Sequence, residues 1–174
     1  MAKGKSSARP SFLNKAGAGN ANSGMKAITW LASITAVALS ASAFATTPKG
    51  WSTDLDKAIE QAKIQKKSVL VEFTGSDWCP PCIVMRKNVF SKKEFIDAAS
   101  KKFILVELDF PKGDEELSAK NKPLAEKFQI EGFPTVVLLD SEGKEFTRFV
   151  ASQFPKVEDF LKHLEEALEN KTLD

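Results

Sequence analysis

The feature that most constrains the fold is an apolar stretch that runs, through a short loop, into a pair of cysteines. Ser68–Thr74 reads Ser-Val-Leu-Val-Glu-Phe-Thr, Gly75-Ser76-Asp77 follows, and Trp78-Cys79-Pro80-Pro81-Cys82 comes next. Val69, Leu70, Val71 and Phe73 have the near-continuous apolar character of a strand buried on both faces, interrupted by one acid, Glu72. Pro80 and Pro81 suit the first turn of a helix, where backbone N–H groups have no intrahelical partner. Strand, tight loop and helix start therefore form the beginning of an α/β unit, with Cys79 at the helix cap and Cys82 one turn inside.

That placement has a chemical consequence. A sulfur at the cap faces unsatisfied N–H groups and the positive end of the helix dipole, and both favour the thiolate. Two cysteines three apart can close a small disulfide and reopen it by thiolate attack through a mixed disulfide. Cys79 is thus the expected exposed nucleophile, and Cys82 the shielded resolving thiol. The prolines remove two donors to the sulfur and no His lies in the motif, so stabilisation of the thiolate is modest. A static structural bridge is the competing reading, but a loop of two intervening residues constrains the unfolded chain little. Two Cys and one His do not complete a four-ligand zinc site within one chain, so no metal is expected.

The rest of the chain alternates in type. Asp54–Lys66 carries Leu55, Ala58, Ile59, Ala62 and Ile64 near one helical face, with Ser52, Thr53 or Asp54 as N-cap. Cys79 opens a helix to about Asn88 or Phe90, and Phe95–Ser100 is a short helix. Phe103–Asp109 is a second apolar strand, and Leu117–Phe128 a helix. Thr135–Leu139 and Lys144–Val150 form a hairpin about Asp140-Ser141-Glu142-Gly143, and Lys156–Asn170 closes the chain as an amphipathic helix. The order βαβαββα implies an α/β fold with a central mixed sheet flanked by helices.

The whole chain has 25 basic and 23 acidic residues, net +2, too even for a nucleic-acid binder. The sum hides an asymmetry. Residues 1–45 hold Lys3, Lys5, Arg9, Lys15 and Lys26 and no acid, and then Ala27–Ala45 is uncharged and ends in Ala43-Phe44-Ala45. A basic start, an apolar middle and a small-x-small end are the parts of a secretory signal peptide, which predicts cleavage after Ala45, with Met25 as an alternative true start. An uncleaved membrane anchor is the less favoured reading, because the run is rich in Ala, Ser and Thr. Residues 46–174 then form the working domain, outside the cytoplasm, periplasmic or secreted. It has 20 basic and 23 acidic residues, net −3, which strengthens the case against nucleic acid.

Over residues 51–170 the sequence resembles the thioredoxin superfamily, on three pieces: Val69-Leu70-Val71-Glu72-Phe73, Trp78-Cys79-Pro80-Pro81-Cys82, and Gly132-Phe133-Pro134-Thr135. Trp51, Ala58 and Ala62, Phe73-Thr74-Gly75-Ser76-Asp77-Trp78 and Leu108-Asp109-Phe110-Pro111 make it similar to extracytoplasmic thioredoxin-like proteins. It is also similar to the periplasmic thioredoxin-like domain of the membrane thiol:disulfide interchange protein. The resemblance implies a thioredoxin fold and a cis proline at Pro134, beside the cysteine pair, presenting backbone to the substrate. Two departures stand out. Pro-Pro replaces the thioredoxin Gly-Pro, and the acid Glu72 lies seven residues before the first cysteine rather than six.

The chain is therefore expected to be a thiol-disulfide oxidoreductase that reduces protein disulfides outside the cytoplasm. Cys79 and Cys82 form the redox-active disulfide, and Glu72 is a catalytic candidate as proton acceptor beneath Cys82. Trp78, Phe133 and Pro134 contact the substrate. The partners are disulfide-containing proteins and a separate electron donor, for which the membrane thiol:disulfide interchange protein is a candidate, and no cofactor is called for. An oxidase or isomerase, or a noncatalytic binding module using the groove around Trp78, Phe133 and Pro134, are the alternatives. Asp77 is expected to face solvent, His163 to lie on the surface, and Lys66-Lys67, Lys92-Lys93 and Lys101-Lys102 to be solvated ends of elements.

Overall fold

The structure is a computed structural model in which residues 47–172 are described. The leader, its cleavage point after Ala45 and the alternative start at Met25 lie outside the described residues. Among the described residues no helix is long and apolar enough to cross a membrane.

The described elements are α1 (Leu55–Gln65), β1 (Ser68–Thr74), α2 (Pro80–Met85), a π turn (Arg86–Phe90), α3 (Lys93–Ala99), β2 (Phe103–Asp109), α4 (Glu115–Lys127), β3 (Thr135–Leu139), β4 (Glu145–Val150), a 3-10 turn (Ala151–Gln153) and α5 (Val157–Lys171). The sheet order is β2-β1-β3-β4. β1 and β2 run parallel, and β3 is antiparallel to both β1 and β4. Together with the helices on both faces this is the expected mixed α/β architecture. Parallel β1 and β2 need a long crossover, which α2, the π turn and α3 supply.

Local signals explain the element ends. Asp54 caps α1 by accepting from the Lys57 N–H at 3.1 Å, and Asp114 caps α4 by accepting from Leu117 at 2.9 Å. The latter cap starts α4 before the expected Leu117. At the hairpin, the Asp140 carboxylate accepts from the Glu142 and Lys144 N–H groups, both at 2.9 Å, and Gly143 takes φ +81°. Ile64, read as a member of the buried face of α1, is 83% exposed. Leu55, Ala58 and Ala62 follow the helical repeat, whereas a residue two beyond Ala62 is turned about 200° away from it. The helix after the cysteines also departs from expectation. It is α-helical only to Met85 and then widens into the π turn.

Period-two alternation splits the strands between two apolar layers. Val69, Val71 and Phe73 of β1 pack with Val106, Leu108, Val137 and Leu139 against α1 and α4. Leu70, Leu105, Val136 and Leu138 point the other way, toward Met85, Val89, Phe90, Phe95 and Phe160. Phe90, Phe95 and Phe160 pack edge to face, with ring centroids 5.3–5.6 Å apart, and fix the α2–α3–α5 layer on the sheet. The parity that sends Leu70 and Leu105 under this layer also sends Glu72 and Glu107 there. His163, expected on the surface, is half-buried between Phe149 and Phe154, with centroids 4.4 and 4.1 Å away, and burial lowers its pKa.

Candidate functional site

β1 ends at Thr74, and the chain turns through Gly75–Trp78 onto α2. The Cys79 N–H donates to the Gly75 carbonyl at 2.9 Å, and Cys79 occupies the N-cap with extended backbone. Its side chain makes no capping hydrogen bond, because its sulfur is joined to Cys82. The S–S distance is 2.12 Å and the Cα atoms are 5.2 Å apart. Pro80 and Pro81 fill the first helical positions, as the sequence predicts.

Cys82 is fully buried, and Cys79 is only 4% exposed. The expected exposed nucleophile is thus covered in the disulfide form. The bond draws its sulfur toward the buried Cys82, and the helix start is seated at the end of the sheet. Trp78, 39% exposed, is the open face of the motif. Its indole meets Phe133 edge to face at 5.9 Å, and Phe133 in turn stacks on Phe110 at 5.1 Å. The Phe133–Pro134 peptide is cis, as the resemblance implies, and the Pro134 carbonyl accepts from Ala151 at 3.0 Å. Because β3 is antiparallel to β1, with Thr135 opposite Phe73, the cis proline lies at the sheet end where the cysteine loop begins. The three residues expected to contact substrate are therefore gathered there. A cavity of about 670 Å³ opens beside them, with Gly132, Phe133, Thr135, Arg148, Val150 and Gln153 among its lining residues.

The loop that carries Trp78 is clamped to the segment after β2. Asp109 accepts from the Ser76 N–H at 2.9 Å and from the Ser76 hydroxyl. Asp77 is exposed as expected, yet it accepts from the Lys112 and Gly113 N–H groups at 3.0 and 2.8 Å. Desolvation is the largest single effect on its carboxyl and raises it, but these backbone bonds and the Lys112 charge together outweigh it and hold the carboxyl below its ordinary value. Trp78 Nε1 donates to the Phe110 carbonyl at 2.7 Å, and the Lys112 ammonium sits 5.1 Å from the indole centroid. Gly75 makes room for this arrangement, since a Cβ there would lie 2.6 Å from Trp78 Cε2. Sequence reading singled out Trp78 and missed the clamp, which depends on residues more than thirty positions away.

Glu72 is 1% exposed, so it does not stand in water at a strand edge. Burial pushes its carboxyl well above the ordinary value of 4.5, and the neighbouring Glu107 pushes it further, while Arg86 and the Thr74 hydroxyl oppose them. Glu107 is its register partner on β2 and is equally buried. Burial raises the Glu107 carboxyl too, against Arg86, whose Nη2 donates to Glu107 Oε2 at 2.5 Å. One oxygen on each acid, Oε1, has no hydrogen-bond partner. The sequence held a sign of Glu107: a lone acid within an apolar strand, like Glu72. For Arg86 the only sign was its spacing, four residues after Cys82 on the same helical face. Among the described residues no cluster of three or more His, Cys, Asp or Glu is arranged to hold a metal.

A buried cysteine pair at a helix N-terminus, beside a cis proline and an exposed indole, is equipped for thiol–disulfide exchange. Comparisons with known proteins agree. A family model described as thioredoxin-like matches residues 50–141. The disulfide bond reductase DsbH of Chlamydia pneumoniae is 38% identical over 95 residues, covering 53% of this chain and 57% of that protein. The thiol:disulfide interchange protein DsbD of Pseudoalteromonas atlantica is 28% identical over 115 residues, covering 66% of this chain and 18% of that protein. The chain thus spans just over half of the one relative and under a fifth of the other. A solved structure described as a DsbH oxidoreductase superposes with a TM-score of 0.62 at 30% identity, covering 71% of this chain and 88% of that one. The chain belongs to the thioredoxin-like family and carries the cysteine pair of its thiol-disulfide oxidoreductases.

Proposed function

We propose that the chain reduces protein disulfides outside the cytoplasm. In the dithiol form the Cys79 thiolate attacks one sulfur of a substrate disulfide. A bond forms between Cys79 and that sulfur, the substrate S–S bond breaks, and the other substrate sulfur leaves as a thiolate. Cys82 then gives up its proton and attacks Cys79 Sγ. This closes the Cys79–Cys82 bond and releases the second substrate thiolate, so two electrons pass to the substrate. A separate dithiol donor restores the pair. Trp78, Phe133 and Pro134 form the docking surface, and Glu72, on the sheet face that α2 covers, accepts the Cys82 proton.

The observation that carries the direction is the pair of prolines that fills the first helical positions after Cys79. A dithiol becomes a strong oxidant's product only when its thiolate is unusually stabilised. Here Pro80 and Pro81 stand in place of two N–H donors to the Cys79 sulfur, and the sheet face below presents the acids Glu72 and Glu107, neither of which stabilises a thiolate. The name of the Chlamydia relative, a disulfide bond reductase, points the same way. The signal-like leader supports export, and the likeness to a thiol:disulfide interchange protein supports a membrane donor of that kind.

Two assays on the full chain separate the directions. With dithiothreitol as donor the protein is expected to accelerate insulin reduction, and in its disulfide form to be a poor oxidant of a reduced, unfolded protein. Fast oxidation with little insulin reduction would reverse the assignment.

A further inference from the structure

The mechanism uses one buried acid, yet the structure buries two. Glu72 on β1 and Glu107 on β2 are direct register partners on neighbouring parallel strands, and each is 1% exposed. Two carboxylates cannot both stay ionised at such a place without compensation, because each is desolvated and repels the other. The cation that reaches them comes from the π turn: Arg86, four residues after Cys82, bonds Glu107 at 2.5 Å. The two acids are therefore in unlike states of support. Glu107 accepts from a guanidinium and Glu72 from the Thr74 hydroxyl, and each keeps one oxygen with no partner.

We propose that Glu107, gripped by Arg86, is a positioning residue of the thiol–disulfide site: by engaging Arg86 it leaves Glu72 as the carboxyl that holds and gives up the proton. This rests on the reading of Glu72 as proton acceptor and adds what sets its proton affinity. The groups facing Glu72 are Thr74 from its own strand, Glu107 and Asp109 from β2, and Arg86 from the π turn, with apolar Val136 opposite on β3. Asp109 accepts from Ser76 through both its oxygens at the strand end, and Glu107, the direct register partner, is the acid that acts more strongly on Glu72. Arg86 keeps α-helical backbone, its N–H bonded to the Cys82 carbonyl, so it lies on the same buried face as Cys82 one turn earlier.

The test is a carbon-13 titration of the Glu72 side-chain carboxyl in the full chain, held in its disulfide form so that neither cysteine titrates. Glu107→Gln removes the like charge and leaves the nearby Arg86 cation acting on Glu72, so the Glu72 midpoint is expected to fall by about one pH unit or more. Arg86→Met removes the cation and is expected to move the midpoint upward, and Arg86→Lys to hold it near the wild-type position. Opposite shifts cannot come from a loosened core, which would hydrate Glu72 and lower its midpoint in both variants. An unmoved midpoint in Glu107→Gln, or a fall in Arg86→Met, would overturn the proposal. The pH profile of insulin reduction keeps the two readings apart. A Glu72→Gln profile identical to wild type removes the proton acceptor itself, whereas a profile altered in Glu72→Gln with an unmoved Glu72 midpoint in Glu107→Gln overturns only the part assigned to Glu107.

Discussion

Cys79→Ser is expected to abolish disulfide reduction, with a loss on the order of a thousandfold or more, because serine at the helix cap has no thiolate to offer a substrate disulfide. Cys82→Ser should lose turnover as completely, but by another route. Its Cys79 still attacks, and without a resolving thiol the mixed disulfide persists. The two variants therefore differ in what accumulates. Incubated with a disulfide-bonded protein, Cys82→Ser should give a covalent complex on a nonreducing gel that a reductant dissolves, and Cys79→Ser none. The burial pattern supports this division of labour, since Cys82 is fully enclosed and Cys79 borders the exposed Trp78. A complex formed by Cys79→Ser and not by Cys82→Ser would exchange the roles.

Glu72→Gln should separate activity from stability. Loss of the proton acceptor is expected to slow insulin reduction about a hundredfold. The same change should stabilise the disulfide form at neutral pH. The folded protein holds the Glu72 proton more tightly than the unfolded chain, whose carboxyl titrates near the ordinary 4.5. Stability is therefore lost as the pH rises from that value toward the raised folded one, when a buried carboxyl must ionise. Glutamine has no proton to lose. Urea denaturation of the two proteins across the acid-to-neutral range should show the variant gaining on wild type with rising pH, by up to about 1.4 kcal/mol per unit, and then levelling off. A difference independent of pH would mean that Glu72 is ionised, or protonated, throughout.

Much of this was legible in the residues. The strand limits of β1, β2 and β3 follow from apolar runs bounded by turn residues, and the parity of those runs carries Glu72 under the cysteine helix. Pro80 and Pro81 mark the start of α2, and the motif at Phe133-Pro134 marks the cis peptide. What could not be read belongs to contacts between distant segments. Ile64 lies near the face of Leu55, Ala58 and Ala62 in the sequence reading, although its helical angle turns it to solvent. The covered state of Cys79, the clamp of Asp77 and Asp109 on the segment after β2, and the meeting of Glu72 with Glu107 all depend on strand register and loop docking. Arg86 is hidden for a further reason. Its helical spacing from Cys82 puts it on the buried side, but the acid it meets there is on β2, twenty-one residues away, and only strand register brings the two together.

The central claim, that the Cys79–Cys82 pair is built to give electrons to substrate disulfides, is tested most directly by its reduction potential, measured on the full chain by equilibration with glutathione and quantified by thiol trapping. The expected value is at or below that of glutaredoxins, about −200 to −230 mV, and a value near the roughly −120 mV of strong oxidants would contradict the account.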